Sequence, residues 1–248
     1  MLVLEHPVLG VDIGGSSIKF CLFDSENILK HCAKQYARTK NPESILEMIR
    51  STAKEWDHAG NIGIGFPGLI KDGVVVDAPN LDGDWEGYNL PAELTAEIGA
   101  EVRIINDADA AALGMAKRSN NWENIDILCL TLGTGIGSAW LRKGQLESGT
   151  EYGRMFHSKL GCSLEQWASV RTMNHQELSI NQWADRLCTV LEILQEGFKP
   201  DQFLLSGGIT TGSIEWLSVV RDRIQVPVSI SEFGDLTGAV GAAKLHSV

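Results

Sequence analysis

One pattern occurs twice in this chain. Val8 to Phe23 reads as an apolar strand, a Gly14-Gly15-Ser16-Ser17 turn and a second apolar strand, and Ile125 to Leu141 reads the same way around Gly133-Thr134-Gly135. Glycine and serine at such turns permit positive φ and close backbone approach, and runs of free N–H groups there form concavities that hold anions. Two phosphate-sized turns, each between strands and about one domain apart, predict a duplicated α/β fold whose halves face a common cleft. The competing reading is two unrelated hairpins. A length of 248 residues suits one large or two small domains.

The stretches between fit this frame. Ile45, Ile49, Ala53 and Trp56 recur at helical spacing, predicting an amphipathic helix over 42–56. Asn61 to Phe66 reads as a buried strand ended by Pro67-Gly68, and Lys71-Asp72-Gly73-Val74 as a hairpin turn. Val102 to Ile105 is a strand, followed by Asn106-Asp107 and an Ala-rich helix over 108–117. Ser179 to Phe198 is the clearest helix, with Ser179 and Gln182 as a capping box. A strand from Phe203 ends in Gly207-Gly208, Val226 to Ile230 is a short strand, and Leu236 to Leu245 a small-residue helix.

Charge and cysteine usage exclude several classes. A formal net charge of −11, with Lys117-Arg118 the nearest approach to a basic block, argues against nucleic acid as a partner. No apolar run approaches the ~18 residues of a membrane span. Met1 to Leu9 lacks a basic region and a cleavage site, and reads as the lead-in to a strand. The five cysteines are scattered and include no C-x-x-C pair, so neither a disulfide framework nor a cysteine zinc site is expected, and a reducing cytoplasm is.

Phosphoryl transfer needs backbone donors around the phosphates, a metal, and a base on the acceptor hydroxyl. The two turns supply donors; Asp12, at the end of the first strand, is placed to hold magnesium through water, and Lys19 to add charge. Asp12 and Lys19 otherwise read as ordinary features of a tight hairpin. A G-x-x-x-x-G-K-[ST] loop is absent, and Gly63-Ile-Gly65-Phe-Pro-Gly68 matches G-x-G-x-x-G without the helix that a dinucleotide site requires. Asp107, where a strand yields to a helix, is a catalytic candidate or an N-cap. Glu151 and Glu165 lie in an irregular region where glutamates are usually only solvated.

In order along the chain, Val11-Asp-Ile-Gly-Gly-Ser-Ser-Ile-Lys19, Gly65-Phe-Pro-Gly68 with Gly73-Val-Val, Ala78-Pro-Asn80 and Asp84-Trp85, Asn106-Asp-Ala-Asp-Ala-Ala111, Leu132-Gly-Thr-Gly-Ile-Gly137, Ser206-Gly-Gly-Ile209 and Gly234 to Ala243 resemble the motifs of the ROK family of bacterial sugar kinases, and within it those of the polyphosphate glucokinases. The resemblance implies a duplicated actin-like ATPase (ribonuclease H-like) fold, with two domains around a central cleft. Residues 1–108 would form the sugar side, with 236–248 packing back on it, and 109–235 the donor side. It implies phosphoryl transfer from ATP and/or polyphosphate, with Mg2+, to the 6-hydroxyl of a hexose, glucose first, in a cytoplasmic homodimer.

By the same resemblance Asp107 is the base, Gly68, Asn106 and Glu151 hold other hydroxyls, Asn80 belongs to the sugar block, and Glu165 is a further sugar contact. Gly207 and Gly208 fall on the nucleotide side. Arg154 stands where the family carries a sugar-contacting His, and only Cys162 remains of the family's zinc loop, so no structural zinc is expected. Arg154 raises the alternative of a catalytically impaired homologue acting as a sugar-binding sensor. An actin-like ATPase without a sugar is a third reading, and it leaves Asn106-Asp107 and Glu151 without a purpose.

Overall fold

A computed structural model describes residues 7–116, 122–212 and 214–246. Lys117, Arg118 and the first six residues, on which parts of the sequence reading fall, lie outside these ranges. The chain divides into two compact units, one running to Gly114 and resuming at Gly238, the other from Met115 to Thr237. The first change of unit falls inside a helix, whereas the sequence reading put it at 108/109.

The first unit contains β1 (Val8–Ile13), β2 (Ile18–Phe23), β3 (Leu29–Gln35), α1 (Pro42–Glu55), β4 (Asn61–Phe66), β5 (Leu69–Lys71), β6 (Val74–Asp77), α2 (Leu90–Ile98), β7 (Val102–Asn106) and α3 (Asp107–Met115). Its sheet has the order β3-β2-β1-β4-β7, antiparallel among the first three strands and parallel from β1 onward. β1 and β4 are apolar almost throughout because both faces are covered, as parallel strands require. The Asn41 side chain caps α1 by accepting the Ser44 N–H at 2.9 Å, and Ile45, Leu46, Ile49 and Ala53 form its buried face. Asp72 and Gly73 carry φ of 51° and 79°, the left-handed pair that a two-residue hairpin between β5 and β6 demands.

The second unit contains β8 (Asp126–Leu132), β9 (Ile136–Arg142), β10 (Gln145–Glu147), the small pair β11 (Phe156–His157) and β12 (Cys162–Ser163), α4 (Leu164–Ala168), α5 (Val170–His175), α6 (Ile180–Phe198), β13 (Gln202–Ser206), α7 (Glu215–Arg223) and β14 (Val228–Ile230). Its sheet order, β10-β9-β8-β13-β14, repeats the first: an antiparallel meander of three, then two parallel additions. The echo of the two glycine hairpins is therefore the echo of two whole sheets. α6 carries the predicted Ser179–Gln182 capping box and buries Trp183, Leu187, Val190, Leu191 and Leu194. Trp183 meets Trp216 of α7 edge to face at 5.3 Å and donates its indole N–H to the Ala168 carbonyl at 2.8 Å.

α8 (Thr237–Ala243) returns the chain to the first unit and lies against its sheet with almost no side chains between. A Cβ at Gly10 would sit 2.0 Å from the Ala239 carbonyl oxygen, and one at Gly63 1.8 Å from that of Ala242. On the other side of α8, a Cβ at Gly241 would sit 1.6 Å from the Ala110 carbonyl oxygen of α3. Helix and strand backbones thus touch, which explains the small-residue composition of this helix. Gly63 and Gly65 of the literal G-x-G-x-x-G match are there for helix packing, and β5 and β6 follow them in place of the helix a dinucleotide would need.

All five cysteines are free. Burial pushes the Cys21 thiol up to about 12 and raises those of Cys129 and Cys188, so these three serve as packing groups.

Candidate active site

Register brings two carboxylates to one place in the first unit. Asp12 on β1 stands opposite Lys19 of β2 and Gly65 of β4. Asp107 follows directly on β7, whose last residue, Asn106, pairs with Phe66 of β4. Because β1, β4 and β7 run parallel, both carboxylates lie at carboxyl ends, of β1 and of β7, the two strands that flank β4, and open α/β sheets collect their ligands at such ends. Gly65 separates them: a Cβ there would be 3.7 Å from Asp12 Oδ1 and 3.6 Å from Asp107 Cα.

Asp12 accepts a hydrogen bond from Lys19 Nζ at 3.0 Å, and both side chains are largely withdrawn from solvent. Gly238 of α8 packs on the same carboxylate, so closely that a Cβ would stand 2.6 Å from its Cγ. Asp107 opens α3, yet the cap is Asn106, whose Oδ1 accepts the N–H groups of Ala108 (2.9 Å) and Asp109 (3.3 Å). Asp107 Oδ1 shares the Ala108 N–H at 2.8 Å. The ordinary reason for an aspartate at a helix start is thus met one residue earlier. Asn106 Nδ2 donates to the Gly68 carbonyl at 3.1 Å, which joins two predicted sugar contacts. Asn80 is exposed in the turn after β6, and no hydrogen bond among the described residues links it to Asn106 or Gly68.

The turn Gly14-Gly15-Ser16-Ser17 closes through the Gly14 N–H on the Ser17 carbonyl at 3.0 Å, with Ser17 buried and Ser16 exposed at the tip. Gly14, Gly133 and Gly135 do not take the left-handed conformation expected of such turns. Gly14 and Gly135 are required by close approach, a Cβ meeting the Ser17 carbonyl oxygen at 2.9 Å and Glu165 Oε2 at 2.4 Å, whereas a Cβ at Gly133 would meet nothing within 4 Å. Lys40, which sequence reasoning passed over, donates its ammonium to the Gly15 carbonyl from the loop before α1. No motif marks it, and only folding brings it 25 residues back to the turn.

The second unit gathers its candidates around Ile136, where the second glycine turn enters β9. The Gly133 N–H donates to the Gly135 carbonyl at 3.0 Å, while the Gly133 carbonyl accepts from Val170 of α5 at 3.0 Å. Glu165 on α4 accepts the Ile136 N–H at 3.4 Å, and a Cβ at Gly135 would meet Glu165 Oε2 at 2.4 Å. The predicted sugar contact is therefore also a prop for the phosphate turn that holds Thr134. Glu151 precedes and Arg154 ends the 3-10 turn Tyr152–Arg154, which is pressed onto β9 through Gly153, where a Cβ would sit 1.8 Å from the Ile136 carbonyl oxygen. Arg154 Nε lies 3.5 Å from Glu151 Oε2, both side chains about half exposed. Gly207, at φ 113°, follows β13 beside Leu132, and its carbonyl accepts the Thr210 N–H at 3.0 Å; Gly208 begins the 3-10 turn beyond, beside Asp235. The second turn and the Gly207-Gly208 pair thus stand at the carboxyl ends of the neighbouring parallel strands β8 and β13.

No three His, Cys, Asp or Glu side chains gather as a metal cage among the described residues. A single carboxylate at a phosphate turn fits magnesium that arrives with phosphates, since that ion keeps its waters and takes one or two protein carboxylates.

The ROK family model matches residues 8–168, close to two thirds of the chain. This chain belongs to the ROK family. A polyphosphate glucokinase of Mycobacterium leprae is 32% identical over 247 residues, covering 96% of this chain and 74% of that protein. A polyphosphate glucokinase of Mycobacterium tuberculosis is 31% identical over 242 residues, covering 94% and 89%. The crystal structure of an inorganic polyphosphate/ATP-glucomannokinase from Arthrobacter sp. strain KM superposes with a TM-score of 0.86 at 31% identity over 98% of both chains. The repeated sheet of this ROK protein is accordingly that of the actin-like ATPase fold.

Proposed function

We propose that this ROK protein is a sugar kinase that transfers a phosphoryl group from ATP or inorganic polyphosphate to the 6-hydroxyl of a hexose, glucose first. The observation that carries this reading is the placing of Asp12 and Asp107 on either side of Gly65, at the carboxyl ends of parallel strands, in a chain related over nearly its whole length to polyphosphate glucokinases.

Asp107 takes the proton of the sugar hydroxyl as the oxygen–phosphorus bond forms; the bridging P–O bond of the donor breaks, and its electron pair stays on the leaving oxygen of ADP or of a phosphate chain shorter by one. Asn106 fixes Asp107 by capping α3 and ties it to Gly68, so both present polar groups suited to hydroxyls, which donate and accept. Gly14 to Ser17, with Lys19, and Gly133 to Gly135, with Gly207 and Gly208, supply the phosphate-binding backbone. Asp12 would hold through water a magnesium ion accompanying the donor, which would offset charge on the phosphate oxygens. Glu151, Arg154 and Glu165 are assigned to sugar hydroxyls by the likeness to ROK sugar kinases. Among the described residues no helix is long and apolar enough to cross a membrane; the five free cysteines support a reducing cytoplasm as the proposed setting.

A panel of hexoses crossed with ATP and polyphosphate tests the assignment. Turnover with glucose and either donor is expected, and turnover with any pair removes the inactive-sensor alternative that Arg154 raises. No turnover with any pair overturns the reading.

A further inference from the structure

We propose that Lys40 is a contact for the phosphoryl chain of the donor, a role that rests on the kinase reading above. Its backbone is fixed at both polar groups: the N–H donates to Asp82 Oδ2 at 3.0 Å and the carbonyl accepts the indole N–H of the buried Trp85 at 2.9 Å. The side chain then runs to the first glycine turn, where the ammonium covers the carbonyl of Gly15. A turn carbonyl repels a phosphate, and Lys40 masks that oxygen while placing a full charge there.

Among the described residues its ammonium also has no ion-pair partner. Lys19, the other ammonium at this turn, is neutralised by Asp12 at 3.0 Å, whereas no carboxylate among the described residues lies within ion-pair distance of Lys40 Nζ. A half-buried cation without a counter-ion is an open demand for an anion. The turn beside it is built from Gly14, Gly15 and Ser16, and the chemistry that fits is a phosphoryl chain, from ATP or from inorganic polyphosphate. Polyphosphate has no base or ribose to anchor it, so each cation along its path counts for more.

The test compares Lys40→Met, which keeps the aliphatic stem, with Lys40→Arg and the parent protein. Binding of inorganic tripolyphosphate to the full chain without sugar is measured by calorimetry, and KM and kcat are measured with ATP and with polyphosphate. Tripolyphosphate binding is expected to weaken roughly tenfold in Lys40→Met, the scale of one charge-assisted contact, and to return in Lys40→Arg. The KM for polyphosphate should rise similarly with kcat and the sugar KM held. A parallel rise with ATP places Lys40 at phosphates common to both donors; a rise with polyphosphate alone places it beyond the nucleotide's triphosphate. Unchanged tripolyphosphate binding and unchanged donor KM overturn the proposal. Because the calorimetry needs no sugar turnover, a protein that binds tripolyphosphate through Lys40 and phosphorylates no hexose would sink the kinase reading and leave Lys40 only a contact for a phosphoryl chain, whereas turnover without loss of binding in Lys40→Met would sink the contact alone.

Discussion

Asp107 carries the chemistry of the reading, and its replacement is the sharpest test at the residue scale. Asp107→Asn keeps the size and the bond to the Ala108 N–H but cannot take a proton, so kcat is expected to fall by ~10²–10⁴ with the fold intact; near-normal sugar phosphate formation would remove Asp107 from the role of base. Asp12 can be tested without touching it. Gly238→Ala adds a methyl 2.6 Å from the Asp12 Cγ, and the carboxylate must move; a displacement on the scale of 1 Å costs about 10²-fold in rate. Glucose affinity should hold in that variant while kcat drops. Arg154 differs in kind: half exposed and touching Glu151 at one nitrogen, it holds its partner only loosely. Arg154→His should therefore leave thermal stability unchanged and act on sugar KM alone, read across the hexose panel.

At the scale of elements, α8 is the piece with least tolerance. Gly63→Ala places a methyl 1.8 Å from the Ala242 carbonyl and must lift α8 from β4; overpacking of this kind costs typically ~1–3 kcal/mol, measurable by urea denaturation. Ser179→Ala, which removes the α6 capping box, should cost about 1 kcal/mol without affecting turnover. The elements also show what was legible beforehand. α6 could be read to within one residue because its cap and apolar stripe are local, and the β5–β6 turn because Asp72-Gly73 has a single common use. α2, α4, α5 and α7 are not legible in the sequence: α2 is announced only by Asn89 before Pro91, and α7 has no side-chain cap. In the site, Asp12, Asp107 and the two turns were readable because hairpins and strand ends are local patterns. Lys40 at Gly15 and Glu165 under Gly135 were not, since both positions are set by packing between segments distant in sequence.

For the whole molecule, the clearest expectation concerns acid. Burial holds the imidazoles of His58 and His246 below the ordinary range, each bonded through Nε2 to a backbone carbonyl, of Asn61 at 3.1 Å and Ile62 at 2.9 Å. The unfolded chain therefore binds protons more readily than the folded one as pH drops past about 6.5, so stability is level near neutrality and declines below that value. The thermal midpoint should fall between pH 7.5 and 5.5, and less so in the His58→Gln, His246→Gln double variant. Glucose at ~100 times its dissociation constant should raise stability by roughly 2.7 kcal/mol at either pH. The placing of α8 also imposes an order on synthesis. The ribosome finishes every strand of the first unit before starting the second unit, yet the helix that covers Gly10 and Gly63 emerges only after Thr237. A nascent chain halted at that point has made the whole second unit but carries an open backbone groove in the first, a bare sheet face for chaperones to guard until the last turn of helix arrives.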